Sequence, residues 1–348
     1  MEKGTNRNLW LDGVMGVVTG DALGCPVQFM PREEIRGRAR GPVTGMEGNG
    51  TYDMPVGTWT DDSSMTLALL DSICETGGID LVDIMGRFVQ WMFKGAYTPF
   101  GRAFDIGGTT MDSVGRYAMD HDVERCGGRG VRDNGNGSLM RILPVCLYGV
   151  LQVHGGAWSV DEAIRAVHGV SGLTHNHLRA KIGCGLYFFM VQAVIEGTGA
   201  LAERPWTVTE ETGALAERLQ GGDSLAEMLQ AGVDAGFAYY EQDAASREEL
   251  AHYRRLRDLE AFAQTPESAI RGSGYVVEAL EAAVWSLLVK DSLQEALLCA
   301  VNLGDDTDSV AAIAGGLAGL YYGHDAIPAE WLAAIQRREW IEELCMEM

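Results

Sequence analysis

Two short segments, Thr60-Asp61-Asp62-Ser63-Ser64 and Asp306-Thr307-Asp308-Ser309, crowd carboxylates and hydroxyls into a few consecutive positions. Each is followed by apolar residues at helical spacing: Met65, Leu67, Ala68, Leu69, Leu70 and Ile73 after the first, Val310–Leu320 after the second. Both clusters are therefore expected at helix N-termini. For a single cluster the simplest account is capping, since Ser, Thr and Asp accept hydrogen bonds from the free amides of a first turn. Two clusters carry a further implication. Adjacent carboxylates repel, and the repulsion is relieved if cations sit among them. Carboxylate and hydroxyl oxygens are hard ligands that suit Mg²⁺ or Mn²⁺ rather than zinc or copper. A carboxylate shared by two such ions would hold them about 3.5–4 Å apart, as in binuclear hydrolytic centres. The chemistry expected is metal-dependent hydrolysis.

Other acid-rich motifs are tested by position. An EF-hand loop beginning at Asp306 needs Gly at its sixth place and Glu at its twelfth, but Ala311 and Leu317 stand there, which excludes it. The DDxxD pattern of an all-α prenyl-diphosphate enzyme would need Asp where Met65 stands. A phosphatase-type Asp-x-Asp after the apolar run Leu297–Val301 presupposes a parallel sheet. These last two stay open as lesser alternatives. The glycine-rich segments Cys126–Gly130 and Asn134–Ser138 would let backbone approach a phosphate or ribose, or would form a plain flexible connection. In Thr174-His175-Asn176-His177 the imidazoles offer a metal ligand, a ring for an adenine, or caps for the helix expected from Leu178.

The elements that must position these groups read as helical almost throughout. Val276, Val277, Leu280, Ala283, Val284, Leu287 and Leu288 recur every three or four residues, as do Ile182, Leu186, Phe189 and Ala193, whereas alternating strand patterns are hard to find. Leu9–Gly24 carries Gly13, Gly16, Gly20 and Gly24 on one face, and Ala311–Gly323 repeats the device with Gly315, Gly316 and Gly319. Glycine weakens a helix, so close packing or a ligand is the expected compensation. Loops are expected over 32–57 and 126–138. The acidic stretch 197–266 reads as a helical, more exposed and more variable insertion. No composition break divides the 348 residues, and an all-α, single compact multi-helix domain over 1–348 is expected.

Forty-nine acidic against 27 basic residues give a formal charge of −22, which disfavours nucleic acid or an anionic membrane as partner. The longest apolar run, Cys184–Ile195, is shorter than the roughly 20 residues of a membrane span. Met1-Glu2-Lys3-Gly4 leads into no apolar segment, so no secretory leader is expected and a cytosolic location is. Seven cysteines without a CxxC pair suit reduced thiols better than a disulfide frame or a structural zinc site.

Seven ordered segments together resemble the ADP-ribosylglycohydrolase family, in particular its bacterial branch of dinitrogenase reductase-activating type. They are Gly20–Gly24, Gly57–Asp62, Phe104–Gly107, Asn136–Arg141, Leu173–His175, Gly272–Tyr275 and Gly304–Ser309. The resemblance implies an all-helical fold and two Mg²⁺ or Mn²⁺ ions, with Thr60, Asp61, Asp62, Asp306, Asp308 and Ser309 as ligands. It implies that Asn136, Gly137, Ser138, His175 and Tyr275 hold ADP-ribose. The implied reaction removes ADP-ribose from a protein side chain, typically arginine; a protein that binds ADP-ribose or blocks its target with little catalysis, and a hydrolase of small ADP-ribose conjugates, are the alternatives. Asp62 and Asp105 are the candidate acid/base groups. Gln28 stands where relatives carry a glutamate, and an amide accepts no proton. Gly108 follows Phe104–Gly107 where relatives often have Asn.

Overall fold

The computed structural model describes residues 7–201 and 223–348. Among these the chain is all-α, with sixteen α-helices and no strand. In chain order they are α1 Leu9–Gly24, α2 Arg32–Gly37, α3 Asp61–Thr76, α4 Leu81–Lys94, α5 Gly108–Asp120, α6 Leu143–His154, α7 Val160–Gly172 and α8 Leu178–Gly197. There follow α9 Leu225–Tyr240, α10 Ala244–Leu250, α11 Leu259–Ala263, α12 Val276–Leu288, α13 Leu293–Val301, α14 Thr307–Tyr322, α15 Ala329–Ala334 and α16 Arg338–Met346.

The two glycine-rich helices pack on each other. A Cβ on Gly16 would lie 2.0 Å from the carbonyl oxygen of Gly315, one on Gly20 would lie 2.0 Å from that of Ala311, and one on Gly24 would lie 2.3 Å from the amide nitrogen of Asp308. As α1 is followed upward, α14 is met downward, so the pair is antiparallel and in backbone contact. Each glycine costs its helix about 1 kcal/mol relative to alanine, and the dense contact it permits along four turns is the compensation. Both helices are buried on nearly every face. Arg7 closes the far end, donating to the carbonyls of Gly319, Leu320 and Tyr321 and pairing with Asp12 at 2.8 Å. A cation thus meets the negative end of α14 while its positive end is left for carboxylates.

Around this pair lie α3, α6, α8, α12 and α13. Helix α8 runs 20 residues, longer than its apolar run alone and long and apolar enough to cross a membrane, but most of it is buried inside the fold as a core helix. Of the stretch 197–266, residues 202–222 lie outside the described residues. The described remainder is helical, but α9 is not an exposed appendage. Met228, Leu229, Val233 and Phe237 are buried, and Gly232 and Gly236 sit against the Phe189–Met190 turn of α8. Its two acidic residues, Glu227 and Asp234, lie off the face that the apolar residues share.

The loop expected at 32–57 contains α2, whose single buried residue, Ile35, is too little to register as a periodicity, and a 3₁₀ turn at Gly50–Tyr52. The 126–138 segment likewise holds a 3₁₀ turn, Val131–Asp133.

Candidate active site

Helix α3 begins at the first acidic cluster and α14 at the second, but neither Thr60 nor Asp306 caps its own helix through its side chain. Asp21, near the end of α1, does that work for α3. Its carboxylate accepts from the amides of Thr60 (2.9 and 3.0 Å) and Ser63 (2.9 Å) and from the Ser63 hydroxyl (2.6 Å). With the amides of Thr60 and Ser63 taken by Asp21, the cap of α3 comes from outside the cluster. Burial raises the Asp21 carboxyl to about 6, against the opposing pull of these hydrogen bonds.

The α1–α14 contact brings the clusters together. The Thr60 hydroxyl lies 3.2 Å from Oδ2 of Asp62 and 3.4 Å from Oδ2 of Asp308, and the Ser309 hydroxyl lies 3.3 Å from Oδ2 of Asp62. Asp62 and Asp308 are 1% and 0% exposed, Asp61 5% and Asp306 9%. Burial, and after it the neighbouring carboxylates, push Asp61, Asp62 and Asp308 well above the ordinary carboxylate range. Asp105 joins them from the loop before α5, raised chiefly by burial. It accepts from the Tyr52 hydroxyl at 2.5 Å, and that bond, with the nearby Asp308 and Gln28, opposes the rise.

Three oxygens in this cluster are buried without a partner: Oδ1 of Asp62, Oδ2 of Asp105 and Oε1 of Gln28. Unpaired buried acceptors are rare and costly, and an all-oxygen set of them suits a hard divalent cation. Among the described residues no three His, Cys, Asp or Glu side chains already converge as a closed cage. The hydroxyls of Thr60 and Ser309 and the amide oxygen of Gln28 lie outside that count.

A cavity of about 210 Å³ opens onto the cluster, lined by Gln28, Phe29, Asp61, Asp105, Asp306 and Ser309 on one side and by Gly135, Asn136, Gly137, His175 and Gly274 on the other. Asn136 donates from its amide to Asp306 at 2.9 Å, and its backbone is tied to Gly274. Gly137 is pressed on His175, where a Cβ would lie 2.8 Å from the ring. Burial, helped by the nearby charge of Arg141, lowers His175 to about 3, so it stands neutral, paired with the Thr174 hydroxyl at 2.8 Å.

Not every candidate meets the cavity. The Ser138 hydroxyl turns into the core toward Ser171 (2.9 Å) and Cys184 (3.5 Å). Tyr275 starts α12 beside the cavity, its hydroxyl held by Arg179 at 3.1 Å. Of the two glycine segments, only the second faces the cavity: the close approach at Gly127 is made by the carbonyl of Gly172, 1.9 Å from a Cβ there. His177 is a cap, accepting from the amide of Arg179, whereas its neighbour His175 is buried in the site.

Sequence reasoning left several working residues without a role. Arg141, fully buried, donates to the Gly137 carbonyl and to the Thr174 hydroxyl and lies 5.0 Å over the Phe88 ring, which fixes the glycine segment against His175. Burial lowers its guanidinium to about 10. Asp21, Tyr52 and Phe29 were also unassigned. For Asp21 the signal was present, an acid in the last turn of a largely apolar helix; for Tyr52 and Phe29, in loops, there was none. A larger cavity, about 460 Å³, adjoins at Thr109 and is lined by Arg116, Arg125 and Arg129 with Asp112 and Asp133. It contains none of the buried carboxylates, and charge rather than size marks the reactive site.

The family model for ADP-ribosylglycohydrolase matches residues 4–348. The chain is 30% identical to the ADP-ribosylarginine hydrolase Tri1 of Pseudomonas putida (strain GB-1), over 96% of this chain and 76% of that one. It is 28% identical to the ADP-ribosyl-[dinitrogen reductase] glycohydrolase of Rhodospirillum rubrum, over 94% and 90% of the two chains. A solved structure titled as an ADP-ribosylglycohydrolase-related protein complex superposes with a TM-score of 0.67 at 27% identity, covering 98% of this chain and 96% of that one.

Proposed function

The chain belongs to the ADP-ribosylglycohydrolase family, and from that premise we propose that it hydrolyses the N-glycosidic bond between ADP-ribose and an arginine side chain of a modified protein, using two divalent cations, Mg²⁺ or Mn²⁺. Glycohydrolysis is what the family and its characterised relatives share; arginine and metal are the finer part of the proposal. The observation that carries it is the meeting of Thr60 and Asp62 with Asp308 and Ser309, with the Oδ1 of Asp62 and the Oδ2 of Asp105 left buried and unpaired.

Thr60, Asp61, Asp62, Asp306, Asp308 and Ser309 would hold the ions, which supply positive charge that neutralises these carboxylates and engages hydroxyls of the ribose. The rest belongs to the chain's own residues. Asn136, Gly137 and His175 bind the remainder of ADP-ribose, with Ser138 and Tyr275 supporting that wall from behind and beside it. Asp105, held on one oxygen by Tyr52, has its other oxygen free to orient a water toward the ribose carbon and take its proton. Carboxylates around the cavity favour the oxocarbenium character that develops as the bond to nitrogen breaks. Gln28 cannot take up a proton, and it stands beside Asp105 in the cavity lining. The substrate partner is the modified protein, and neither nucleic acid nor membrane enters the reaction. We place it in the cytosol, where unpaired thiols are kept reduced.

The test is release of free ADP-ribose from an arginine-modified protein with Mg²⁺ or Mn²⁺, then after chelation. The expected result is release that stops on chelation and returns with the ion. Undiminished release from an Asp61→Asn, Asp306→Asn double variant would remove the metal from the mechanism. Tight ADP-ribose binding without release, converted to turnover by Gln28→Glu, would favour a binding or target-blocking protein instead.

A further inference from the structure

Phe29 is a bulky aromatic in an unusual place. It is 61% exposed, much as Phe93 is at 58%, but unlike Phe93 it lines the acidic cavity with Asp61, Asp105 and Asp306. Its backbone adopts φ 63°, the left-handed region that a side chain of this kind rarely enters. The conformation is enforced from both sides. The Phe29 amide donates to the carbonyl of Asp305 at 2.6 Å, and the Asp305 amide returns a bond to the carbonyl of Met30 at 2.9 Å. The carbonyl of Gln28 accepts the Thr51 hydroxyl at 2.6 Å. Among the described residues the Phe29 ring stacks on no other ring and carries no arginine. The fold thus holds a strained backbone in order to present a naked aromatic face at the cavity mouth, the pattern expected where strain serves a ligand.

Resting on the proposed ADP-ribosylarginine activity, we propose that Phe29 is a specificity-determining residue whose ring receives the cationic guanidinium of the arginine from which ADP-ribose is removed. An aromatic face attracts a cation through its quadrupole, and the attraction grows when the site is partly desolvated. With Asp105 turned to the attacking water in that mechanism, the Phe29 ring offers a guanidinium an aromatic face at the mouth. A neutral side chain in the same position gains nothing from it. A rigid aromatic also loses little entropy on binding, which makes it an efficient anchor.

The experiment measures KM for a peptide bearing ADP-ribose on arginine, Kd for free ADP-ribose by calorimetry, and melting temperature, in the wild-type protein and in Phe29→Leu, Phe29→Trp and Phe29→Asn. Leucine keeps apolar bulk without a π face and should raise KM about three- to thirty-fold while leaving the ADP-ribose Kd unchanged; tryptophan should keep KM near wild type. Asparagine tolerates the left-handed backbone, so Phe29→Asn should raise KM as leucine does and melt no lower than wild type. A KM in Phe29→Leu equal to wild type overturns the proposal. A melting temperature lowered by more than about 5 °C in Phe29→Asn also overturns it, because Phe29 is then a packing residue. If the wild-type protein neither binds ADP-ribose nor releases it from arginine, the activity itself is refuted and the role of Phe29 with it. Binding and release that are intact in wild type and unaffected in Phe29→Leu refute the role of Phe29 alone.

Discussion

Asp21 and Ser63 are joined twice, the Asp21 carboxylate accepting both the amide of Ser63 at 2.9 Å and its hydroxyl at 2.6 Å across 42 residues of sequence. With the third bond from Thr60, a single buried side chain fixes the start of α3 to the end of α1, and so fixes where Asp61 and Asp62 stand. Asp21→Ala leaves these donors buried and unmet. The expected loss is about 2–4 kcal/mol of unfolding free energy, read by chemical denaturation, together with a fall in divalent-ion affinity read by calorimetry. Full ion affinity in a folded Asp21→Ala protein would show that α3 is held by other means.

Crowded carboxylates make the metal-free protein carry its own repulsion. Asp62→Asn keeps an oxygen for the Thr60 and Ser309 hydroxyls and removes a charge that burial and Asp21, Asp306 and Asp105 all oppose. In chelator the variant should therefore be more stable than wild type, by about 1–3 kcal/mol. With Mg²⁺ at roughly a thousand times its Kd the order should reverse, since wild type gains about 4.1 kcal/mol that the variant does not. Melting curves in chelator and in Mg²⁺ check both halves.

The glycines of α1 differ from the one in α4 in what surrounds them. A methyl at position 20 would overlap the carbonyl of Ala311, whereas nothing lies within 4 Å of one at position 86. Gly20→Ala should cost at least about 1–3 kcal/mol by forcing α1 and α14 apart, and should weaken ADP-ribose release because the acidic clusters separate with them. Gly86→Ala should be neutral or stabilise by about 0.5–1 kcal/mol through helix propensity. Denaturation midpoints of the two variants, measured side by side, decide it.

His168 gives a pH signature away from the site. It is half-buried against Tyr240, 2.7 Å from the hydroxyl and stacked at 5.8 Å between ring centres, and desolvation lowers it to about 3. A base with a depressed folded pKa resists protonation that the unfolded chain accepts, so its contribution is fully present above about 6.5 and is lost as pH falls toward 3. Over that window this one group should add a slope of up to about 1.4 kcal/mol per pH unit. His168→Gln, which retains a partner for Tyr240, should flatten the acid side of the stability profile by that amount; an unchanged profile would place the titration elsewhere.

Much of the architecture was legible before any coordinates, because helix formation is local. The 3–4 residue spacing around Val276–Leu288, the acidic clusters ahead of α3 and α14, and the bare glycine faces of α1 and α14 are each set within a few turns of chain. The sequence by itself determined an all-helical fold, two acid-rich helix starts and a match to the seven-segment pattern of its family. What only the tertiary structure decided are relationships between distant residues: that the glycine faces meet each other rather than a ligand, and that Asp62 meets Ser309 across 247 positions. It decided as well that Asn136 faces the cavity while Ser138 turns to Cys184, that α9 is seated on α8, and that Phe29 stands strained at the mouth. The physical reason is the range of the forces that encode each feature. Propensity and amphipathic period act over one or two turns, whereas the contact of two helices depends on the packing of every side chain between them, and no spacing along the chain records that.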